Sequence, residues 1–259
     1  TVAIAEKIGG TEGNFVNMMN EKAKELGMEN THFMNSHGID EEDHYTTAKD
    51  IAIMSRELIT KHPDILNFTS IWQDSLRNGE FTLSSTNKLI RYYEGANGLK
   101  TGSTSQALFN LSASATRNGM TLISVVMKAP SSDIRLQETK QLLDFGFANY
   151  EVKKICEKEE ILDAIQVNKN ISDMIETQIG EEVTILTEKG SNPEIEKVIS
   201  YNELVAPIRE GDVIGKLLIK NLTTDEVIKE VDIIAKNSIE KSDFFAYLKK
   251  LAKMFILVN

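Results

Sequence analysis

The 259-residue chain contains a single cysteine, Cys156. One thiol cannot close an internal disulfide, so stability has to come from packing. Its surroundings, Lys154-Ile155-Cys156-Glu157, read as a strand rather than as the setting of a catalytic thiol. Positive charge is also in short supply: 29 Lys and Arg stand against 39 Asp and Glu, a net charge of −10. Such a surface repels phosphate backbones, so no nucleic-acid partner is expected. Metal-ligand spacing is missing as well. His32, His37 and His44 lie near Asp40 and Asp43, but no His-Glu-x-x-His or comparable pattern joins them. No metal and no cofactor are expected, and His37 and His44 are expected to fix their loop by hydrogen bonds. The opening, Thr1-Val2-Ala3-Ile4-Ala5-Glu6-Lys7, has no basic start followed by a long apolar run. It reads as the middle of a helix, so the numbering is expected to begin inside a domain.

What is present is ordinary for a globular protein: 41% apolar and 26% charged residues. The length suffices for one large domain or two smaller ones. A helix ends at Gly9-Gly10, and Thr11 caps the next. Phe15, Met19, Ala23 and Leu26 then recur on one helical face, and Gly27 stops the run. Residues 28–45 hold no periodic stretch and read as a structured loop. Thr47 with Asp50 forms a variant capping box for a helix bearing Ile51, Met54 and Leu58, ended by Pro63.

From Gly98 the period changes to two. Ala107, Phe109, Leu111, Ala113 and Ala115 alternate with Leu108, Asn110, Ser112 and Ser114, a strand with one more apolar face. Asn118-Gly119 signals a hairpin, and residues 121–127 return as its partner strand. A helix is predicted over 132–145, closed by Gly146. Beyond Tyr150 short β-like runs take over, at 161–167, 183–186, 198–201, 213–219 and 227–234. Their spacing predicts a small all-β sandwich or barrel. On a helical wheel, Phe244, Phe245, Leu248, Leu251, Phe255 and Ile256 fall opposite Lys249, Lys250 and Lys253. This end is too short and too charged to span a bilayer, but it fits an amphipathic helix lying in the interface, or one docked on the protein's own core, since any amphipathic helix gives this pattern.

Lys100-Thr101-Gly102, followed by Ser103-Thr104, is the stretch with chemical content. A strand edge lets an extended peptide pair by backbone hydrogen bonds. Gly102 offers close approach, Lys100 a positive charge, and Thr101 and Thr104 hydroxyls for a terminal carboxylate. Lys-Thr-Gly belongs, with Ser-x-x-Lys and a Ser-Asn-type element, to the signature of penicillin-binding proteins and class A β-lactamases.

An ordered set of further stretches surrounds it. They are Phe33-Met34-Asn35-Ser36-His37-Gly38-Ile39-Asp40, His44-Tyr45-Thr46-Thr47-Ala48-Lys49-Asp50, Thr86-Asn87-Lys88-Leu89, residues 110–117, Gly119-Met120, Arg135 with Glu138, and Phe145-Gly146-Phe147. On these the chain resembles the D-alanyl-D-alanine carboxypeptidases of the low-molecular-mass penicillin-binding group, along nearly its whole length. The resemblance implies an α+β fold. A partial transpeptidase/β-lactamase-like catalytic domain (antiparallel sheet with packed helices) spans 1–149, a small all-β domain 150–237, and a C-terminal amphipathic helix 238–259. It implies a serine peptidase trimming the terminal D-alanine of peptidoglycan stem peptides through an acyl-enzyme, with β-lactams as inhibitors. It implies Lys100 as the catalytic lysine, with Thr101, Gly102, Ser103, Thr104 and Arg135 binding substrate. Ser103 would lend its N–H to an oxyanion hole, and Arg135 would fork onto the substrate carboxylate. Attachment to the outer face of the cytoplasmic membrane is expected from the helical wheel of residues 244–256, and the family often has such an anchor.

The family's Ser-x-x-Lys and Ser-x-Asn motifs are not in their places. Thr1 stands where the residue after the second motif is expected, so the chain is expected to be truncated at its N-terminus and inactive alone. Ser85-Thr86-Asn87-Lys88 satisfies both patterns, but it occupies the family's ordinary Thr-Asn-Lys-Leu segment, and one serine cannot fill two places in a cleft. Leu108 departs from the glycine common in the family. Two other readings stand beside the enzyme: a non-catalytic, membrane-associated cell-wall-binding remnant, and a class A β-lactamase, in which the β-rich region and basic end have no place.

Overall fold

The computed structural model describes residues 1–167 and 174–241. The chain divides into two compact units, Thr1–Asn149 and Tyr150–Asn259. The first is α+β and the second all-β, the class the sequence predicts.

In the first unit, α1 (Val2–Gly9) turns at Gly10 into α2 (Glu12–Glu25). The Thr11 hydroxyl accepts from Asn14 N at 3.1 Å, which satisfies one of the orphan donors of the first turn. A side chain at Gly9 would stand 2.7 Å from Phe15 N, so the two helices meet there only because Gly9 has none. The loop that follows is closed by a bridge between His32 and Tyr45. His44 Nδ1 accepts from Met34 N and His37 Nδ1 from Ile39 N, each at 3.2 Å. Both histidines thus fix the loop as expected.

Next come α3 (Ala48–Lys61), α4 (Ile65–Thr69), a hairpin of β1 (Gln73–Leu76) and β2 (Phe81–Ser84), and the short α5 (Leu89–Tyr92). They lead into β3 (Ala96–Thr104), β4 (Leu108–Arg117), β5 (Met120–Ala129) and α6 (Ser132–Asn149). The three strands form one antiparallel sheet in the order β3-β4-β5, which leaves β3 at an edge. Asn118 and Gly119 both take positive φ, 49° and 77°, as a two-residue I′ hairpin requires.

Two sequence expectations change here. Ser112 and Ser114, predicted on the polar face of β4, are buried. The sheet is covered on both sides: Ser112 Oγ bonds Ser55 Oγ of α3 at 2.7 Å, while α6 lies over β5 on the other side. The helix predicted to close at Gly146 runs on to Asn149. A Cβ at Gly146 would fall 2.5 Å from Leu122 Cδ1, so this glycine admits close helix–sheet packing instead of ending the helix.

Asp50, in the first turn of α3, is 1% exposed. It accepts from Thr31 Oγ1 at 2.7 Å and Asn30 N at 2.9 Å. The Thr31 hydroxyl chiefly holds its carboxyl below the usual range, against the opposing effect of burial. A carboxyl whose folded pKa lies below its unfolded value of about 3.9 stabilises the fold above that pH. That contribution is lost as pH falls through the folded value. The melting temperature should therefore drop in acid below about pH 4. Asp50→Asn should melt lower at neutral pH and lose less on acidification. Parallel acid profiles for the two proteins would contradict this.

In the second unit, β6 (Tyr150–Cys156) pairs with β9 (Val183–Glu188). The other strands are β7 (Ile161–Gln166), β8 (Met174–Ile179), β10 (Ile195–Tyr201), β11 (Val213–Asn221) and β12 (Val227–Ala235). They make a five-stranded sheet in the order β10-β11-β12-β8-β7. Between them lies a core that includes Ile175, Ile179, Val183, Leu217, Ile219 and Ile233. Cys156 is buried in it, in the strand its neighbours indicated. The predicted amphipathic segment lies, from residue 242 onward, outside the described residues.

Candidate functional site

Residues Lys100 to Thr104 all lie on β3, opposite Ser112, Leu111, Asn110, Phe109 and Leu108 of β4 in that order. The strand is held from behind by the end of α4 and by the segment that follows β2. Asn87, 4% exposed, donates its amide to Gly98 O at 2.9 Å, and Thr69 Oγ1 donates to Asn97 O at 2.6 Å. Ser85 and Lys88 therefore belong to a turn that props the strand. Ser85 Oγ accepts from Asn87 N, and Lys88 reaches Asp133. A second Ser-x-x-Lys, Ser238 to Lys241, lies in the other unit, where Ser238 Oγ accepts from Glu210 N at 2.9 Å.

Lys100 is exposed, and its Nζ donates to Thr101 O. Thr101 Oγ1 and Thr86 Oγ1 are hydrogen-bonded at 2.6 Å, and either can be the donor. If Thr86 donates, the Thr101 proton stays available to an incoming carboxylate. Gly102 is exposed, and nothing lies within 4 Å of where its Cβ would be, so a ligand backbone can reach the strand. Ser103 is exposed beside it. A cavity of about 380 Å³, lined in part by Met54, Leu58 and Leu111, opens between α3 and this stretch.

Thr104 is placed differently from a free donor. Its hydroxyl donates to Asp40 Oδ1 at 2.6 Å and accepts from Ala107 N at 2.9 Å. Arg135, in the first turn of α6, is 8% exposed and donates from Nη1 to Asn110 O at 3.4 Å. Its Nε is buried without a hydrogen-bond partner among the described residues. Burial pulls its pKa down from the ordinary guanidinium value. A guanidinium desolvated and left partly unpaired attracts an anion strongly.

Three residues here escaped the sequence reading. Asn110 is a hub: its amide donates to Gly102 O, Ala107 O and Leu108 O, and its Oδ1 accepts from Lys128 N at 2.9 Å. It joins the Lys-Thr-Gly strand to β5 and, through its carbonyl, to Arg135. Thr86 and Asp40 act on the same strand from outside the sheet. Asp40 was visible in the His-Gly-Ile-Asp stretch, yet no spacing links it to Thr104. Leu108 occupies the left-handed region at φ 52°, which explains why glycine suits this position.

Comparison with known proteins identifies the family. The family model for D-alanyl-D-alanine carboxypeptidase, peptidase S11, matches residues 1–131, and that for the penicillin-binding protein 5 C-terminal domain matches 150–241. D-alanyl-D-alanine carboxypeptidase DacF of Bacillus subtilis is 38% identical over 96% of this chain and 65% of its own length. The crystal structure of penicillin binding protein 5 from Haemophilus influenzae superposes with a TM-score of 0.65 at 32% identity, over 93% of this chain and 70% of that one. Penicillin-binding protein D2 of Listeria monocytogenes, solved in its ampicillin-bound form, gives a TM-score of 0.52 at 34% identity, over 56% of this chain and 60% of that one. The chain spans less than two thirds of the length of the curated relatives it matches, 65% in the case of DacF. The chain belongs to the D-alanyl-D-alanine carboxypeptidase family, peptidase S11, and carries the C-terminal domain of penicillin-binding protein 5.

Proposed function

We propose that the protein is a serine-type D-Ala-D-Ala carboxypeptidase. It trims the terminal D-alanine from peptidoglycan stem peptides through an acyl-enzyme, and β-lactams acylate it as inhibitors. The observation that carries this reading is the edge strand Lys100 to Thr104, exposed at Lys100, Gly102 and Ser103, with the buried Arg135 tied to it through Asn110. The substrate pairs with β3 by its backbone, over the open space at Gly102. Its carboxylate takes the Thr101 hydroxyl and the Arg135 guanidinium. Lys100 lowers the barrier at the attacking serine by its charge and by helping to move its proton. The Ser103 N–H stabilises the oxyanion.

Ser85 Oγ and Ser238 Oγ each accept a backbone N–H, which supports reading both as turn or loop residues rather than as the nucleophile. The chain of residues 1–259 alone is accordingly proposed to be inactive. The test compares it with a form extended upstream by the coding sequence. Labelled penicillin should bind the extended form covalently and leave the 259-residue chain unlabelled. Labelling of the short chain would overturn its inactivity. An extended form that binds peptidoglycan but takes no label would support the non-catalytic wall-binding reading instead.

Peripheral attachment to the outer face of the cytoplasmic membrane is part of the same proposal. It rests on the apolar and lysine faces of residues 244–256. Each lysine near an anionic surface adds about 1 kcal/mol. Deleting residues 242–259 should release the protein from anionic vesicles, and equal binding with and without them would refute it.

A further inference from the structure

We infer that Asp40 is a positioning residue for the edge strand that carries Lys100 to Thr104, acting through Thr104 at the strand's end. Its role presupposes the carboxypeptidase reading above. The Asp40 carboxylate gathers the whole turn after β3. Oδ1 accepts from Thr104 Oγ1 at 2.6 Å, and Oδ2 is approached by Ser105 Oγ and Gln106 N, each at 3.4 Å. The Thr104 hydroxyl, its proton given to Asp40, then accepts from Ala107 N at 2.9 Å. The turn closes at Leu108, whose φ of 52° is disfavoured for a residue with a side chain. Such a turn persists only when its surroundings hold it. Asn110 holds it from the inner side and Asp40 from the outer.

Asp40 is itself fixed. Asn35, 6% exposed, donates to Ile39 O at 3.0 Å and accepts from Gly38 N at 2.8 Å, which sets the loop that presents the carboxylate. Ser36 Oγ donates to Glu12 Oε1 at 2.7 Å, and this bond ties the loop to α2. α2 is thereby connected to the end of the strand through the 35–40 loop, with a side-chain bond at each end of the link. With Asp40 truncated, Thr104 loses its acceptor, and the strand end is free to shift relative to Arg135 and Thr101. Displacement of a site by about 1 Å lowers rates on the order of 10²-fold.

The test uses the upstream-extended protein and a labelled penicillin. Asp40→Ala should cut the first-order acylation step on the order of 10²-fold. The concentration at half-saturation should shift less, and the protein should stay folded at the assay temperature. Thr104→Val should show the same defect, and the double variant should be no worse than either single one. Asp40→Asn keeps an acceptor oxygen for Thr104 and should recover much of the rate. Wild-type acylation in Asp40→Ala, or additive losses in the double variant, would overturn the inference. So would a rate loss that follows the unfolded fraction. An unlabelled wild type would count against the carboxypeptidase reading, not against Asp40. Amide exchange in the 259-residue chain then decides for Asp40: its truncation should speed exchange at Ala107 and along residues 101–104, and unchanged exchange at Ala107 would overturn the role.

Discussion

Replacing Lys100 with alanine in the upstream-extended protein is expected to slow covalent penicillin labelling by about 10²–10⁴-fold, the range for losing a positioned proton-transfer group. Melting should be little affected, because the side chain is exposed. The two readouts separate chemistry from folding. Lys100 stands on β3 next to Thr101, whose carbonyl accepts from its ammonium, so the charge is held against the strand rather than free to wander. Lys100→Arg should restore the charge but only part of the rate, since a planar guanidinium cannot take the place of a compact ammonium or give up its proton. A labelling rate equal to wild type in Lys100→Ala would remove this residue from the site.

The largest stability loss is expected in the second unit. Ile233 is fully buried on β12 and lies opposite Gly215 of β11 and Ile179 of β8. Strands flank it on both sides, so little can collapse into a cavity left there. A side chain at Gly215 would stand 2.5 Å from Ser200 O, so that position cannot be enlarged to fill the gap. Ile233→Ala should therefore cost about 2–5 kcal/mol, as large-to-small core substitutions do. A shift of the urea midpoint at constant slope would measure it. Ile161→Ala, at a residue 63% exposed, should stay within about 0.5 kcal/mol. Similar losses at both positions would show that burial does not govern this unit.

The features legible in sequence were those encoded within a few residues. Thr11 and Thr47 each accept from the amide three residues on, as their capping patterns said. Asn118-Gly119 made its turn, with both residues at positive φ. The β1–β2 hairpin was missed because all eight of its residues are exposed, so burial imposes no alternation on it. Its turn signal was nevertheless present in Asn78-Gly79, at φ 56° and 97°. The β4 serines misled because a strand covered on both faces has no polar side to show. In the site, the contacts from Asp40 to Thr104 and from Asn110 to Arg135 join residues far apart in the chain, and periodicity carries no record of such pairs. Thr104 shows the limit of motif reasoning: its hydroxyl was readable, but the acceptor already holding its proton was not.

Covering β4 from both sides also bears on mutational tolerance. Residues 111–115 are all buried, and Ser114 Oγ would stand 2.8 Å from a Cβ placed on Gly98. In a saturation screen this stretch should emerge as a band accepting only small side chains at Ser112 to Ala115, as sharply defined as any set of catalytic positions. No residue in that band does chemistry. A variant library read by survival alone would therefore draw the boundary of the active site one strand too deep, and a fold-sensitive readout run in parallel is what would pull it back to the edge strand.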